Sequence, residues 1–456
     1  MNEFENISPL DYRYAREEKI RAFFSEEARI AFQAMVEAAL ARVFARKGIC
    51  SQEIALEIEN ACKQISAAEV YEEEKRIKHD VRALVNCIRK RVSRQAMPFV
   101  HLAATSYDIV DTANAKRYKE AAEALLLPSL IGLEKTLIQL ALKEKGTIQI
   151  GRTHGQHAEP ITFGFFIAGY VSRLGGRIKE IESKKNELVG KFSGAVGAYN
   201  AGTLVFDNPM EIEMELMKEL ELRASNSSTQ IVEAEPLADL MHAIVSCFSV
   251  IADLADDCRH LQRTEISEIS EAFGEKQVGS STMPHKRNPI NFEKVKSLWK
   301  AFMPRMLTVY LDQLSEHQRD LTNSASQRFL GEVFVALIVS IERLNKTIKN
   351  IFVEKQSMQK NLEKNSKQAT AEPLYILLAM HGHENAHEVV REISLEAEQT
   401  GKGILEIAME KRDLMPFIKK FSKKQLEVLS QPEKYLGMAE KKTEEICEKW
   451  GKEFGI

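Results

Sequence analysis

Residues that interrupt regular structure are scarce in this chain, with 12 prolines and 22 glycines among 456 residues. The stretches 237–273, 305–330 and 332–372 contain neither, and such lengths suit helices rather than strands. The six cysteines, Cys50, Cys62, Cys87, Cys247, Cys258 and Cys447, form no CxxC pair. That spacing excludes a paired-thiol or zinc-ribbon motif and fits reduced core thiols in a cytosolic protein. Charge of one sign is lacking too, since 63 Lys and Arg face 66 Asp and Glu for a net charge of -3. No bulk cationic field can gather nucleic acid or anionic membrane, so any anion binding must be local. The first ten residues, MNEFENISPL, lack the basic start and apolar stretch of a secretory signal. The most apolar run, 240–252, contains His242 and falls short of the ~20 residues that span a bilayer. A soluble, cytoplasmic protein is expected.

The chain is 44% hydrophobic and 28% charged, the balance of a globular protein. Its length fits about two to four domains or one very elongated one. Leu237, Leu240, Ile244, Cys247, Ile251, Leu254, Cys258 and Leu261 recur every three or four residues, which places one apolar seam along a helix. Met241, Val245, Phe248 and Ala252 widen that seam, so this helix should be covered on more than one side. Leu126, Leu130, Leu133, Leu137 and Leu140 form a second seam, and Val333, Leu337, Ile341, Leu344, Ile348 and Ile351 a third. An all-α fold with a central long-helix bundle follows. A helix over 237–273 would run roughly 55 Å, longer than a compact domain needs, which points to packing against other subunits. Shorter helices are expected over 1–110 and 351–456, flanking a core over 111–350.

Four segments break the helical pattern with Gly, Pro, His and small polar residues: 99–111, 151–160, 274–289 and 316–328. In the third, Gly274 and Gly279 loosen the chain and Pro284 and Pro289 stiffen it. Between them stand Ser280, Ser281, His285, Lys286 and Arg287, which suit either a hinged lid over an anionic ligand or a solvated basic loop. The spacing is not a P-loop, because Ser280 stands where the lysine must follow the second glycine. His154 and His157 lie three apart in GRTHGQH, as ligand-facing or merely capping histidines. The pentapeptide His383 to His387 fits the HExxH zinc pattern on a helix, without an obvious third ligand. The cluster Lys419, Lys420, Lys423 and Lys424 fits a solvated face.

Taken together, SSTMPHKRNP at 280–289 resembles the signature loop of the fumarase and aspartase superfamily. Within it, SPLDYRY near the start, KHD at 78–80, HLAATSYD at 101–108, GRTHGQHAEP and RDLTNSASQR are similar to the adenylosuccinate lyase family, as is QPEKYLG at 431–437. The sequence departs from the family at Tyr12 and Ala103, where glycine is common, and at FLGEVF after Arg328; these positions bear on the shape of the pocket.

The resemblance implies an all-helical subunit of three domains, here 1–110, 111–350 and 351–456, joined in a homotetramer whose active sites draw on several subunits. It implies a C–N lyase of purine and AMP biosynthesis that eliminates fumarate from adenylosuccinate and from succinylaminoimidazole carboxamide ribotide. No metal or organic cofactor is implied, and no nucleic acid or membrane partner. By resemblance, Ser280 is the base and His154 the acid held by Glu293, with Lys286 beside the base. Arg13, Tyr14, Arg319, Ser324 and Arg328 would hold the phosphate and nucleotide end. Lys286, Asn288, Thr105 and Ser106 would hold the carboxylates, and Lys78, His79, Asp80, His101 and Gln230 would line the site. A serine hydroxyl is a weak base, so loop amides and Lys286 must stabilise its alkoxide. Two readings compete: another fumarate-releasing lyase such as argininosuccinate lyase or carboxymuconate cycloisomerase, and a zinc hydrolase built on His383 and His387.

Overall fold

The computed structural model describes residues 6–15, 17–274, 279–280, 282–283, 285–365 and 369–456. Ser281 and Pro284, expected in the lid, lie outside the described residues. Helices dominate, and the strands form three two-stranded pairs. By packing, the chain separates into two compact units. The first comprises Met1–Ile131, Gly176–Ala252 and Lys294–Arg343, and the second Gly132–Gly175, Asp253–Glu293 and Leu344–Ile456.

All three apolar seams are buried except at their ends, where Leu237 and Ile351 are half-buried. In the helix Glu235–Leu261, Leu240, Ile244, Cys247, Ile251, Leu254 and Cys258 are nearly inaccessible, and Met241, Val245, Phe248 and Ala252 are buried as well. The helix is therefore covered on more than one side, as its widened seam requires. Leu126, Leu130, Leu133, Leu137 and Leu140 are buried along a helical run from Ser106 to Lys143 that includes a π-turn at Ala122–Leu126. In the helix Ser326–Lys349, Val333, Leu337, Ile341, Leu344 and Ile348 are buried in the same way.

The unpunctuated stretches are shorter helices than expected. The 237–273 stretch stops being helical at Leu261: Ser267 takes a left-handed φ of 53°, the Glu268 amide bonds Leu261 O at 3.0 Å, and Ile269–Ser270 pairs with Phe352–Val353. The same strand pairing divides 332–372, and 305–330 breaks after Leu311. Strand pairing and a left-handed turn thus end helices without glycine or proline. Two helical runs, Ser106–Lys143 and Glu235–Leu261, are long and apolar enough to cross a bilayer, more than the 240–252 run led one to expect. In each, 61% of the apolar window is buried within the protein, as in a core helix.

The first unit contains two apolar clusters. One joins Ile30, Ala34, Leu84, Val85 and Ile88, and the other joins Val36, Phe44, Ile109, Phe192, Phe206 and Leu216. Within the second unit, Leu374, Leu378, Val390, Ile393, Ile404 and Leu414 unite the short C-terminal helices.

Candidate active site

The first unit gathers the 78–80 motif and residues from two of the four helix-breaking segments, 99–111 and 316–328, around one cavity of ≈ 550 Å³. Lys78, His79, Asp80, Ser106, Arg319, Ser324 and Arg328 all line it. Each is set by a helix end or turn. Lys78 closes the helix Ala67–Ile77 with a left-handed φ of 59°, and His79 caps the helix Asp80–Arg89, its Nδ1 accepting from the Arg82 amide at 3.2 Å. Thr105 caps the helix Ser106–Ala121, its amide donating to Asp108 Oδ2 at 2.8 Å. Ser106 and Tyr107 thus bring that helix's N-terminus, with its partial positive charge, to the cavity.

Arg319 is fixed on two sides. Its guanidinium lies 3.5 Å from the centre of the Tyr107 ring, and its Nη1 donates to Gln230 Oε1 at 3.0 Å. Gln230 joins the site through this bond. Arg328 Nη2 lies 3.7 Å from Asp80 Oδ2, an exposed pair worth about 1 kcal/mol or less. Glu26 offsets part of the positive charge: burial would raise its pKa, but Arg29, bonded at 2.6–2.9 Å, lowers it below the usual carboxylate value.

His101, Thr105, Arg13 and Tyr14 are not on this cavity's wall. His101 is mostly buried with its Nδ1 2.6 Å from Glu37 Oε1. Burial opposes its protonation, but the Glu37 carboxylate outweighs that and raises its pKa. Arg13 and Tyr14 lie in a π-turn, Leu10–Tyr14, whose Leu10 and Asp11 line an adjoining cavity of ≈ 480 Å³. Ala103, where the resemblance leads one to expect glycine, has a φ of 59°, a conformation in which glycine avoids the Cβ penalty.

Support for this site comes partly from Asp108 and Asp111, which lie in the 99–111 segment but to which the sequence assigned no role. Asp108, fully buried, bonds the Lys191 ammonium and accepts from the Ser193 amide at 3.1 Å, which anchors the start of the Ser106 helix. Asp111, one turn on, accepts from the Val232 amide at 3.0 Å beside Gln230; burial pushes its carboxyl up to about 7. Neither partner is near in sequence, so no local signal marks them.

The second unit carries the groups singled out for proton transfer. The 151–160 segment is largely a β-hairpin rather than a loop, with strand Ile148–Thr153 pairing strand Gln156–Thr162. Its two turn residues, His154 (φ 53°) and Gly155 (φ 75°), are both left-handed, as a tight hairpin turn requires. His154 is exposed at the tip, while His157 is half-buried in the second strand, where burial, then Arg152, lowers its pKa. The hairpin is tied down by Glu268, fully buried, which accepts from Arg152 Nη2 at 2.6 Å, Gln149 Nε2 at 2.7 Å and Asn361 Nδ2 at 2.9 Å.

In the lid segment, Ser280 is half-buried and its Oγ accepts from the backbone amides of Thr282 at 3.3 Å and Met283 at 3.1 Å. Asn288 Nδ2 donates to Gly279 O at 2.9 Å, closing the loop on itself. The role of Gly279 differs from the expected loosening: a Cβ there would lie 2.0 Å from Lys286 O, so glycine permits a close backbone approach. The base of the loop is held by Glu271, which accepts from the Asn291 and Phe292 amides at 3.0 Å each. Lys286 and Glu293 are exposed, and among the described residues no hydrogen bond joins Glu293 to His154.

The HExxH reading does not match the local structure. His383 precedes the helix Ala386–Thr400 and His387 lies within it, so the pair lacks the one-turn helical spacing the motif needs. The His383 ring packs on Phe417 and that of His387 on Tyr375. Among the described residues no group of three or more His, Cys, Asp or Glu is placed to hold a metal.

A lyase family model matches residues 12–301, and an adenylosuccinate lyase C-terminal model matches 315–436. The chain is 38% identical to the adenylosuccinate lyase of Pyrococcus horikoshii over 449 residues, 97% of each protein. It is 33% identical to that of Methanocaldococcus jannaschii, covering 96% of this chain and 95% of the relative. Among solved structures, the 3-carboxy-cis,cis-muconate lactonizing enzyme from Pseudomonas putida has a TM-score of 0.85 at 24% identity, covering 99% of this chain and 100% of the other. A fumarate lyase from Mesorhizobium sp. BNC1 has a TM-score of 0.82 at 23% identity, covering 95% and 98%. These likenesses place the fold among the fumarate lyases, and the extent of identity to the archaeal enzymes places the chain in the adenylosuccinate lyase family.

Proposed function

We infer that the chain is a C–N lyase that eliminates fumarate from adenylosuccinate to give AMP, and from succinylaminoimidazole carboxamide ribotide, in purine biosynthesis. The observation that carries this reading is the ≈ 550 Å³ cavity where Lys78, His79, Asp80, Ser106, Arg319, Ser324 and Arg328 converge. Its cations and helix N-terminus suit a ligand bearing a phosphate. Arg319, Ser324 and Arg328, with Arg13 and Tyr14, hold the nucleotide end. Gln230, His101 and the 78–80 segment shape the site around it.

Ser280 takes the proton from the carbon beside a succinyl carboxylate, the C–N bond breaks, and His154 gives a proton to the departing nitrogen. The two amides on Ser280 Oγ stabilise the alkoxide that a serine base requires. Lys286 adds positive charge, and Asn288, Thr105 and Ser106 bind the carboxylates. No cofactor takes part in this scheme.

Exposed His154 and Glu293, unpaired with each other within one chain, fit a site completed by other subunits of a homotetramer. The division into 1–110, 111–350 and 351–456 and a cytoplasmic location belong to the same reading. Spectroscopic detection of fumarate release tests it: adenylosuccinate should be cleaved and remain the preferred substrate against argininosuccinate and carboxymuconate. Full activity after chelator treatment is expected; turnover of argininosuccinate alone would overturn the assignment.

A further inference from the structure

Four cationic side chains are buried among the described residues: Lys116, Arg117, Lys185 and Lys191. Three have carboxylate partners. Lys116 pairs with Glu120 and Glu221 at 3.2 and 3.0 Å, Lys185 with Glu123 at 2.7 Å, and Lys191 with Asp108. Arg117, 7% exposed, has none within 4.0 Å among the described residues. Among the described residues its Nη2 donates only to neutral acceptors, Asn114 Oδ1 at 3.0 Å and Tyr118 Oη at 3.3 Å, and its buried Nε has no partner. A guanidinium withdrawn from water without a counter-charge is costly, and proteins rarely keep one unless an anion arrives to pair with it.

Arg117 stands where an anion can reach it. It lines both the ≈ 550 Å³ cavity and the adjoining ≈ 480 Å³ cavity, and Arg328 also lines both. Asn114, one turn away, and Tyr118, stacked on Phe334 at 5.3 Å, hold the guanidinium in place.

We propose that Arg117 is a further ligand-binding residue, which together with Arg328 receives a phosphate monoester where the two cavities adjoin. The ligand's own charge then supplies the counter-charge that no carboxylate among the described residues provides. Identification of that ligand as the substrate nucleotide rests on the function proposed above, whereas affinity for the phosphate group does not.

The test compares Arg117→Met, which removes the charge, with Arg117→Lys, which keeps charge without the fork. For adenylosuccinate, Arg117→Met should raise KM about 10- to 100-fold and change kcat less than about threefold, because a charge-assisted contact made equally in ground and transition states acts on binding. Independently of turnover, millimolar inorganic phosphate should raise the Tm of the unmodified protein; Arg117→Met should abolish that rise and Arg117→Lys retain part of it. An AMP titration separates a nucleotide site, where AMP protects at lower concentration than phosphate, from a site for the free ion. If Arg117→Met does not fold, Arg117→Gln takes its place beside Arg117→Lys. A lower Tm with unchanged KM and unchanged phosphate response would overturn the proposal and leave Arg117 a packing residue. Phosphate stabilisation without fumarate release would sink the proposed reaction and leave this site standing.

Discussion

The two units differ in how they hold charge. In the first, cations around the cavity are braced by rings, amides and helix ends, as with Arg319 between Tyr107 and Gln230. In the second, the proposed reactive groups stand on turns: His154 at a hairpin tip and Ser280 in a loop closed by Asn288. Binding an anion benefits from fixed, partly desolvated charge, whereas moving a proton needs groups that meet substrate and then release it. Each unit holds a neutralised buried carboxylate, Asp108 with Lys191 in the first and Glu268 with Arg152 in the second, and in the second both oxygens of Glu134 are buried without a hydrogen-bond partner among the described residues.

The largest effects should come from the turns. Ser280→Ala and His154→Ala are each expected to lower kcat about 10²- to 10⁴-fold with the subunit assembly intact by size-exclusion chromatography. Rates near the unmodified level would remove the assignment. Mixing the two inactive variants should recover part of the activity if these residues meet across subunits, and no recovery after verified exchange would argue against a shared site.

Next in size is the buried pair. Lys191→Met leaves Asp108 charged and unpaired, with an expected loss of about 3–5 kcal/mol in denaturant unfolding. A loss below 1 kcal/mol would mean that the pair does not anchor the Ser106 helix.

Glu134 should behave in the opposite way. Burial pushes its pKa up to about 9, so the folded protein holds a proton that the unfolded chain releases at lower pH. Stability should therefore fall as pH rises from about 4.5 towards 9, and Glu134→Leu should remove that slope and raise stability by about 1–3 kcal/mol at pH 8. A Tm series against pH decides the matter; an unchanged slope counts against a neutral buried carboxyl.

The smallest effect belongs to the bound cation. On the proposed binding role, Arg319→Met should raise KM about tenfold and leave kcat largely unchanged, since Arg319 is assigned no proton transfer. A fall in kcat with unchanged KM would contradict a binding role.

The helical seams were legible because burial of one helix face leaves a period of three to four in the sequence, and Leu240, Ile244 and Cys258 lie in the core as that period requires. Helix ends were less legible. Nothing between 262 and 273 is glycine or proline, yet pairing of Ile269–Ser270 with Phe352–Val353, some 80 residues away, ends the helix. The hairpin around His154 escaped for another reason: His and Gly at a turn resemble any loop until both are seen in the left-handed region. Short motifs located the cavity residues at 78–80, 106 and 319–328, but not His101's bond to Glu37 or Arg117's want of a counter-ion.

Sequence alone determined the helical class, the seams and the chemical character of the segments between them, because these depend on the order of side chains along a few turns. Tertiary structure decided which cations were neutralised and which faced a cavity, where helices stopped, and which carboxylates stayed buried without partners. Those outcomes depend on residues distant in the chain meeting in space, and a one-dimensional pattern carries no record of the distances between them.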